Sequence, residues 1–286
     1  MSNLFFCGGL PKSGTTLLQR ILDLHPEISC NSEDNLEFLA QSFLDLHKKY
    51  NIILSLLASR TGAEKYNKID KEVFLKNFYY LIKDIAINRN KKVKFIGLSD
   101  NNFLLKNLVN LSNVFSNSKT VIIFRNPIDM ALSAWDHNHR LYKKEKSEEH
   151  LNIMKIDGEL NLNKYIIQRS KLWNKQVKNI LLQIEKLTHK FLVINYEDLC
   201  MNKKETIKKV FQHLGCINND EIISKVIEDS SLEKMRKTSS DSSFFNKGRI
   251  NFGGNELDQL TINSAIDLCK EGLAMTRINV PKNKVF

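Results

Sequence analysis

The residues with the strongest claim to chemistry are Gly9-Leu10-Pro11-Lys12-Ser13-Gly14-Thr15-Thr16. The apolar run Leu4 to Cys7 leads into them, and Leu17, Leu18, Ile21 and Leu22 follow at helical spacing. A strand, a glycine loop and a helix in that order turn backbone N–H groups inward and add the positive end of the helix dipole. The result is a phosphate cradle. The hydroxyls of Ser13, Thr15 and Thr16 can donate further bonds. The spacing is near that of a Walker A loop, which places Lys and then Ser/Thr directly after its last glycine. Here Thr15 and Thr16 stand in those places and the lysine, Lys12, has moved inside the loop. A P-loop small-molecule kinase needs that lysine and magnesium ligands. The loop fits a single phosphate better, with a lysine beside a transferred group.

A second constellation, Arg125-Asn126-Pro127-Ile128-Asp129, directly follows the apolar run Thr120 to Phe124. In an open α/β sheet, ligands bind at the carboxyl ends of the strands, which is where Arg125 would stand. Pro127 suits the first turn of a helix, Asp129 reads as a helix-start residue, and Ser133 lies further along the same helix. A guanidinium and a hydroxyl held this way suit a second phosphate.

On these residues the chain resembles the sulfotransferases that use 3′-phosphoadenosine-5′-phosphosulfate (PAPS) and release 3′-phosphoadenosine-5′-phosphate (PAP). Pro11-Lys12-Ser13-Gly14-Thr15-Thr16 is similar to their 5′-phosphosulfate loop, and Arg125-Asn126-Pro127 through Ser133 to their 3′-phosphate motif. Phe244-Phe245-Asn246-Lys247-Gly248 resembles their later Arg-Lys-Gly segment, with Asn246 where the arginine would be. Tyr196-Glu197-Asp198-Leu199 also matches a common segment of the family. The resemblance sharpens toward the tyrosylprotein sulfotransferase branch over residues 9 to 33, ending His25-Pro26-Glu27-Ile28-Ser29-Cys30-Asn31-Ser32-Glu33. It continues through Leu105-Lys106-Asn107 and Phe115 to Lys119, up to Arg125. The chain departs from that branch at Ser32-Glu33-Asp34-Asn35, where the branch has adjacent acids followed by Thr-Arg.

The resemblance implies sulfonate transfer from PAPS to a hydroxyl on a small molecule, a carbohydrate or a peptide tyrosine. It implies Glu33 as general base, with Asp34 and Asp100 as rivals, and Lys12 and Lys106 stabilising the bridging oxygen and the sulfonate. Pro11, Lys12, Ser13, Gly14, Thr15, Thr16, Arg125, Ser133, Tyr196, Lys247 and Gly248 would hold the donor. The cytosolic branch uses a histidine base, and none lies between Val93 and Phe124. The alternatives are the kinase and a non-catalytic nucleotide-binding protein that kept the cradle and lost the base.

Four short apolar runs must position these groups: Leu4 to Cys7, Val93 to Leu98, Thr120 to Phe124 and Phe191 to Ile194. Each is followed by a helical pattern, as Leu104, Leu108, Leu111 and Phe115 follow the second. Alternation of strand and helix predicts an α/β fold, a P-loop-like central parallel sheet flanked by helices, in a single domain over 1–286. Residues 36–90 read as a helical insertion of two or three helices that shapes an acceptor cleft. Tyr142 to Asp157 mixes Lys and Glu without periodicity and reads as a mobile cover or an exposed loop. Residues 230–255 read as a long loop. A helix from Ile166 to Leu187 and another near Leu257 to Ala274 complete the reading.

The 286 residues are 42% hydrophobic, enough for a sizeable core, and carry a formal charge of +11. That charge favours anionic partners, and no nucleic-acid module accompanies it. Five cysteines form no CxxC pair, and seven histidines make no HExxH; His137 and His139, two apart, read as surface or packing residues. No metal site is expected. No apolar stretch of about 18 residues and no signal peptide is visible, so a cytoplasmic protein without a membrane partner is expected.

Overall fold

The computed structural model describes residues 3–30, 36–62, 68–89, 93–188, 190–238, 250 and 256–280. Five parallel strands form the central sheet: β1 (Asn3–Gly9), β2 (Ile28–Cys30), β3 (Phe95–Ser99), β4 (Lys119–Phe124) and β7 (Lys190–Asn195), in the order β2-β3-β1-β4-β7. Successive side chains point to opposite faces, and both faces are covered. Phe6, Ile122 and Phe124 pack on one side with Leu104, Leu108 and Trp173. Phe5, Cys7, Val121 and Ile123 pack on the other with Leu18, Ile21, Leu22 and Phe211. Burial on both faces is why the strands read as continuous apolar runs.

The helices fall between and after the strands. α1 (Thr15–Asp23) joins β1 to β2, and α2 (Leu36–Thr61) and α3 (Lys71–Arg89) lie between β2 and β3. These are two helices in the stretch 36–90 read as two or three, and Phe43 holds them together against Phe74 and Phe78 at ring distances of 4.3 and 5.2 Å. The single helix expected from Leu104 to Phe115 is instead α4 (Asn101–Lys106) and α5 (Leu108–Val114), divided at Asn107. Asn107 leaves helical geometry at φ −120°, its Nδ2 donates to Phe103 O, and its Oδ1 accepts from the Tyr79 hydroxyl at 2.9 Å. An asparagine side chain that bonds locally to the backbone competes with the helix in this way. β2 was not foreseen, because three residues are too few to show a pattern.

After β4 comes α6 (Pro127–Glu145), then α7 (Glu148–Met154) and a small hairpin of β5 (Lys155–Ile156) and β6 (Glu159–Leu160). Tyr142 to Asp157, read as a mobile cover or an exposed loop, is therefore not a loop but the end of α6, α7 and the start of this hairpin. Lys and Glu are good helix formers, and α7 buries little beyond Met154, so it carries no apolar stripe to read. Asp157 and Gly158 turn the hairpin with φ 52° and 82°, the geometry of a tight type I′ turn. α8 (Leu162–Glu185) precedes β7. Then follow α9 (Tyr196–Met201), α10 (Lys203–Leu214), α11 (Asp220–Asp229), α12 (Leu232–Thr238) and α13 (Gln259–Thr276). Part of the expected loop 230–255 is thus α12, and residues 239–249 and 251–255 lie outside the described residues. Among the described residues, no helix is long and apolar enough to cross a membrane.

Candidate active site

Because all five strands run parallel, their carboxyl ends share one edge. The candidate residues sit on the segments that leave it: Lys12 to Thr16 after β1, Asp100 to Lys106 after β3, Arg125 to Ser133 after β4 and Tyr196 after β7. Residues 31–35, which join β2 to α2, include Glu33 and Asp34 and lie outside the described residues, as do Lys247 and Gly248.

The donor loop turns tightly, with Ser13 N–H donating to Leu10 O at 3.0 Å and Lys12 left-handed at φ 68°. Gly14 is the N-cap of α1 at φ 96°. Its lack of a side chain is needed twice, since a Cβ there would also overlap the Tyr196 ring, coming within 2.8 Å of Cε2. The ring carries a second load. The Arg125 guanidinium stacks on it 4.4 Å from the centroid, and Arg125 Nη1 donates to Lys12 O at 3.2 Å. One ring and one hydrogen bond therefore lock together two motifs 113 residues apart.

Asn126 caps α6 by accepting from Ile128 and Asp129 N–H, and its own N–H donates to Glu197 Oε1 at 2.9 Å. Burial pushes the Glu197 carboxyl up, and it pushes the Tyr196 hydroxyl up as well. The Arg125-Asn126 segment is thus held from Tyr196 and Glu197 together. Ser133 is half-buried, two turns into α6.

The remaining donor-loop residues differ in environment. Ser13 is fully buried, and its Oγ has no hydrogen-bond partner among the described residues. Thr15 is buried and its Oγ1 accepts from Asn101 Nδ2 at 3.1 Å, while Pro11 and Thr16 are exposed. Lys106 extends into solvent and forms an ion pair with Glu37 in the first turn of α2. Asp100 puts both carboxylate oxygens to structural use: Oδ1 accepts from Phe103 N–H at 2.9 Å as the N-cap of α4, and Oδ2 accepts from Leu36 N–H at 2.7 Å.

Sequence reasoning missed Asn101 and undervalued Glu197. The available signal was position, since both stand at the carboxyl end of a sheet strand. His137, read as a surface or packing histidine, is half-buried on α6. Burial first, then the charges of Lys12 and Arg140, push it down to about 4, so it is neutral at physiological pH. A group able to hold a metal, His25, Glu27 and Cys216, does gather away from this edge. Both ring nitrogens of His25 are already engaged there, Nε2 with Ile217 O at 2.7 Å and Nδ1 accepting from Glu27 N–H at 3.1 Å.

Among solved structures, a mouse sulfotransferase complexed with PAP superposes with TM-score 0.59 at 16% identity, covering 96% of this chain and 86% of the other. A sulfotransferase domain from the curacin biosynthetic pathway gives 0.52 at 17% identity, covering 98% and 99%. These likenesses establish the fold, a parallel sheet flanked by helices. The protein-tyrosine sulfotransferase 1 of Danio rerio is 24% identical over 224 residues, 77% of this chain and 55% of the relative. The protein-tyrosine sulfotransferase 2 of Gallus gallus is 25% identical over 225 residues, 77% and 53%. The chain therefore spans about half the length of these relatives. The family model described as the sulfotransferase domain matches residues 4–276, which takes in β1, the donor loop, Arg125 and Tyr196 in one span, and the chain belongs to that family.

Proposed function

We propose that this domain transfers a sulfonate from PAPS to a hydroxyl, and that a tyrosine side chain is the acceptor to test first. The names of the relatives support that acceptor class. The observation that carries the donor assignment is the joint of Gly14, Tyr196, Arg125 and Lys12 O, which fixes two anion-binding groups on one rigid edge. The residues fit the donor. Glycine-bounded backbone and the N-terminus of α1 suit its 5′-phosphosulfate, the Thr15 hydroxyl adds a donor, and Arg125 and Ser133 suit its 3′-phosphate; the Ser13 hydroxyl, expected to join them, is instead fully buried against Gly9.

PAPS, when bound, supplies a sulfonate already activated by a phosphate leaving group. Glu33, carried by the segment between β2 and α2, takes the proton of the acceptor hydroxyl as its oxygen bonds to sulfur and the bond to the phosphate oxygen breaks. Lys12 places positive charge beside the oxygens of the transferring group. Lys106 is a secondary candidate for that part, reaching the site only by leaving Glu37. Lys247 and Gly248 complete the 3′-phosphate grip by the family resemblance alone. No divalent ion is assigned a part, since Thr15 and Thr16 replace the Lys-Ser/Thr pair that serves a magnesium triphosphate.

Calorimetry with PAP, ATP and AMP tests the donor, and labelled PAPS offered with a tyrosine peptide tests the transfer. PAP should bind much more tightly than either competitor, and preference for ATP would overturn the assignment. Transfer to sugars or small phenols but never to the peptide would replace the acceptor class.

A further inference from the structure

Asn101 is the first residue of α4, pinned behind the donor loop. Asp100 fixes the start of that helix as its N-cap, and Asn101 itself is 8% exposed. Gly8 of β1 makes room for Leu104 of the same helix, whose Cδ2 would lie 2.9 Å from a Cβ there, and Asn101 Oδ1 lies beside it in ordinary contact at 3.5 Å. The Gly9 N–H sets the orientation of the amide. Oδ1 accepts the Gly9 N–H at 3.3 Å, so Nδ2 faces the Thr15 hydroxyl and donates to Oγ1 at 3.1 Å.

An amide NH₂ can only donate and a carbonyl oxygen can only accept, whereas a hydroxyl has one proton to give. With Nδ2–H aimed at it, Thr15 Oγ1 is committed as an acceptor on the Asn101 side. Its own proton has no acceptor among the described residues and must be presented elsewhere. Thr15 is the first residue of α1, directly after Gly14, where the cradle meets the helix N-terminus. We infer that Asn101 is a positioning residue: it turns the Thr15 hydroxyl so that its proton is offered to an anionic oxygen of the sulfonate donor. This role rests on the donor assignment proposed above and adds to it the residue that sets the polarity of one donor-loop hydroxyl.

The inference separates from a purely structural role by chemistry. If Asn101 only held the loop through Gly9 N–H, its removal would cost the same PAP affinity whether or not Thr15 carries a hydroxyl. If Asn101 orients Thr15, aspartate reverses the polarity, since the Thr15 proton would then turn inward to the new carboxylate.

The experiment is a double-mutant cycle read by PAP affinity in calorimetry, with urea unfolding of each variant without ligand as the folding control. Thr15→Val should weaken PAP about tenfold to a hundredfold, the value of a hydrogen bond to a charged group. Asn101→Ala should weaken it about tenfold, and Asn101→Asp at least as much while keeping the shape of the site. The decisive arm is Asn101→Ala in the Thr15→Val background, where its further effect should fall below about twofold because no hydroxyl remains to be oriented. Equal losses in both backgrounds, or an Asn101→Asp variant with native affinity, would overturn the role. Wild-type protein that binds no PAP would refute the donor assignment itself, and this role with it.

Discussion

Replacing Gly14 with alanine tests the joint at the centre of the site, and its effect divides into two parts that can be measured apart. At φ 96° an alanine adopts a left-handed conformation, which costs about 1–2 kcal/mol. The added Cβ also overlaps the Tyr196 ring, which cannot slide freely because the Arg125 guanidinium lies on it at 4.4 Å. Overpacking of this kind costs about 1–3 kcal/mol. The sum, about 2–5 kcal/mol, is below the stability of an ordinary domain, so the variant should fold and be measurably weaker in equilibrium urea unfolding. In a Tyr196→Ala background the contact part vanishes, and the same substitution should cost only the backbone part. PAP affinity should fall with Gly14→Ala as well, because the displaced ring carries Arg125. Equal destabilisation in the two backgrounds, or unchanged PAP affinity, would refute the joint as the element that couples the two donor motifs.

Arg125→Ala should lower PAP affinity about tenfold to a hundredfold, the loss of a charge-assisted pair, and calorimetry at fixed salt reads it directly. Glu33→Gln should leave PAP binding intact while turnover falls by about 10²–10⁴-fold; collapse of binding with turnover of bound donor preserved would make Glu33 structural. His137 supplies a pH test. Its folded value of about 4 lies below the ordinary 6.5, so the unfolded chain takes up a proton that the folded one refuses. Its contribution to stability is whole above about pH 6.5 and is lost as pH falls toward 4. His25 and His213 are shifted in the same direction and keep their share, so His137→Asn should flatten the fall in melting temperature without abolishing it. Parallel melting curves for the two proteins between pH 7.5 and 4.5 would contradict this.

How much was legible follows from the range of the interactions involved. The cradle from Gly9 to Thr16, the helix start at Pro127 and the apolar strand runs Thr120 to Phe124 and Phe191 to Ile194 depend on neighbours within a few residues. Turn geometry, capping and two-sided burial leave marks in local residue order. The α4–α5 break at Asn107 left only a weak mark, because an asparagine that bonds its own backbone is common inside helices and loops alike, and the Tyr79 hydroxyl that holds its Oδ1 is delivered only by packing. The helix α7 was hidden for the opposite reason: it faces solvent and buries almost nothing that could show a period.

The sequence by itself determined the chemical types at the site, an anion cradle with a displaced lysine and an arginine at a strand end, since these are written in contiguous residues. Only the tertiary structure decided which groups act together. Tyr196 stands between Gly14 and Arg125, Glu197 holds Asn126, and Asn101 reaches both Gly9 and Thr15 because the parallel sheet brings β1, β3, β4 and β7 out at one edge. Those contacts join residues 71 to 182 positions apart in the case of Asn126–Glu197 and Gly14–Tyr196, and the order of strands in space, unlike the order in the chain, is set by which buried faces cover one another.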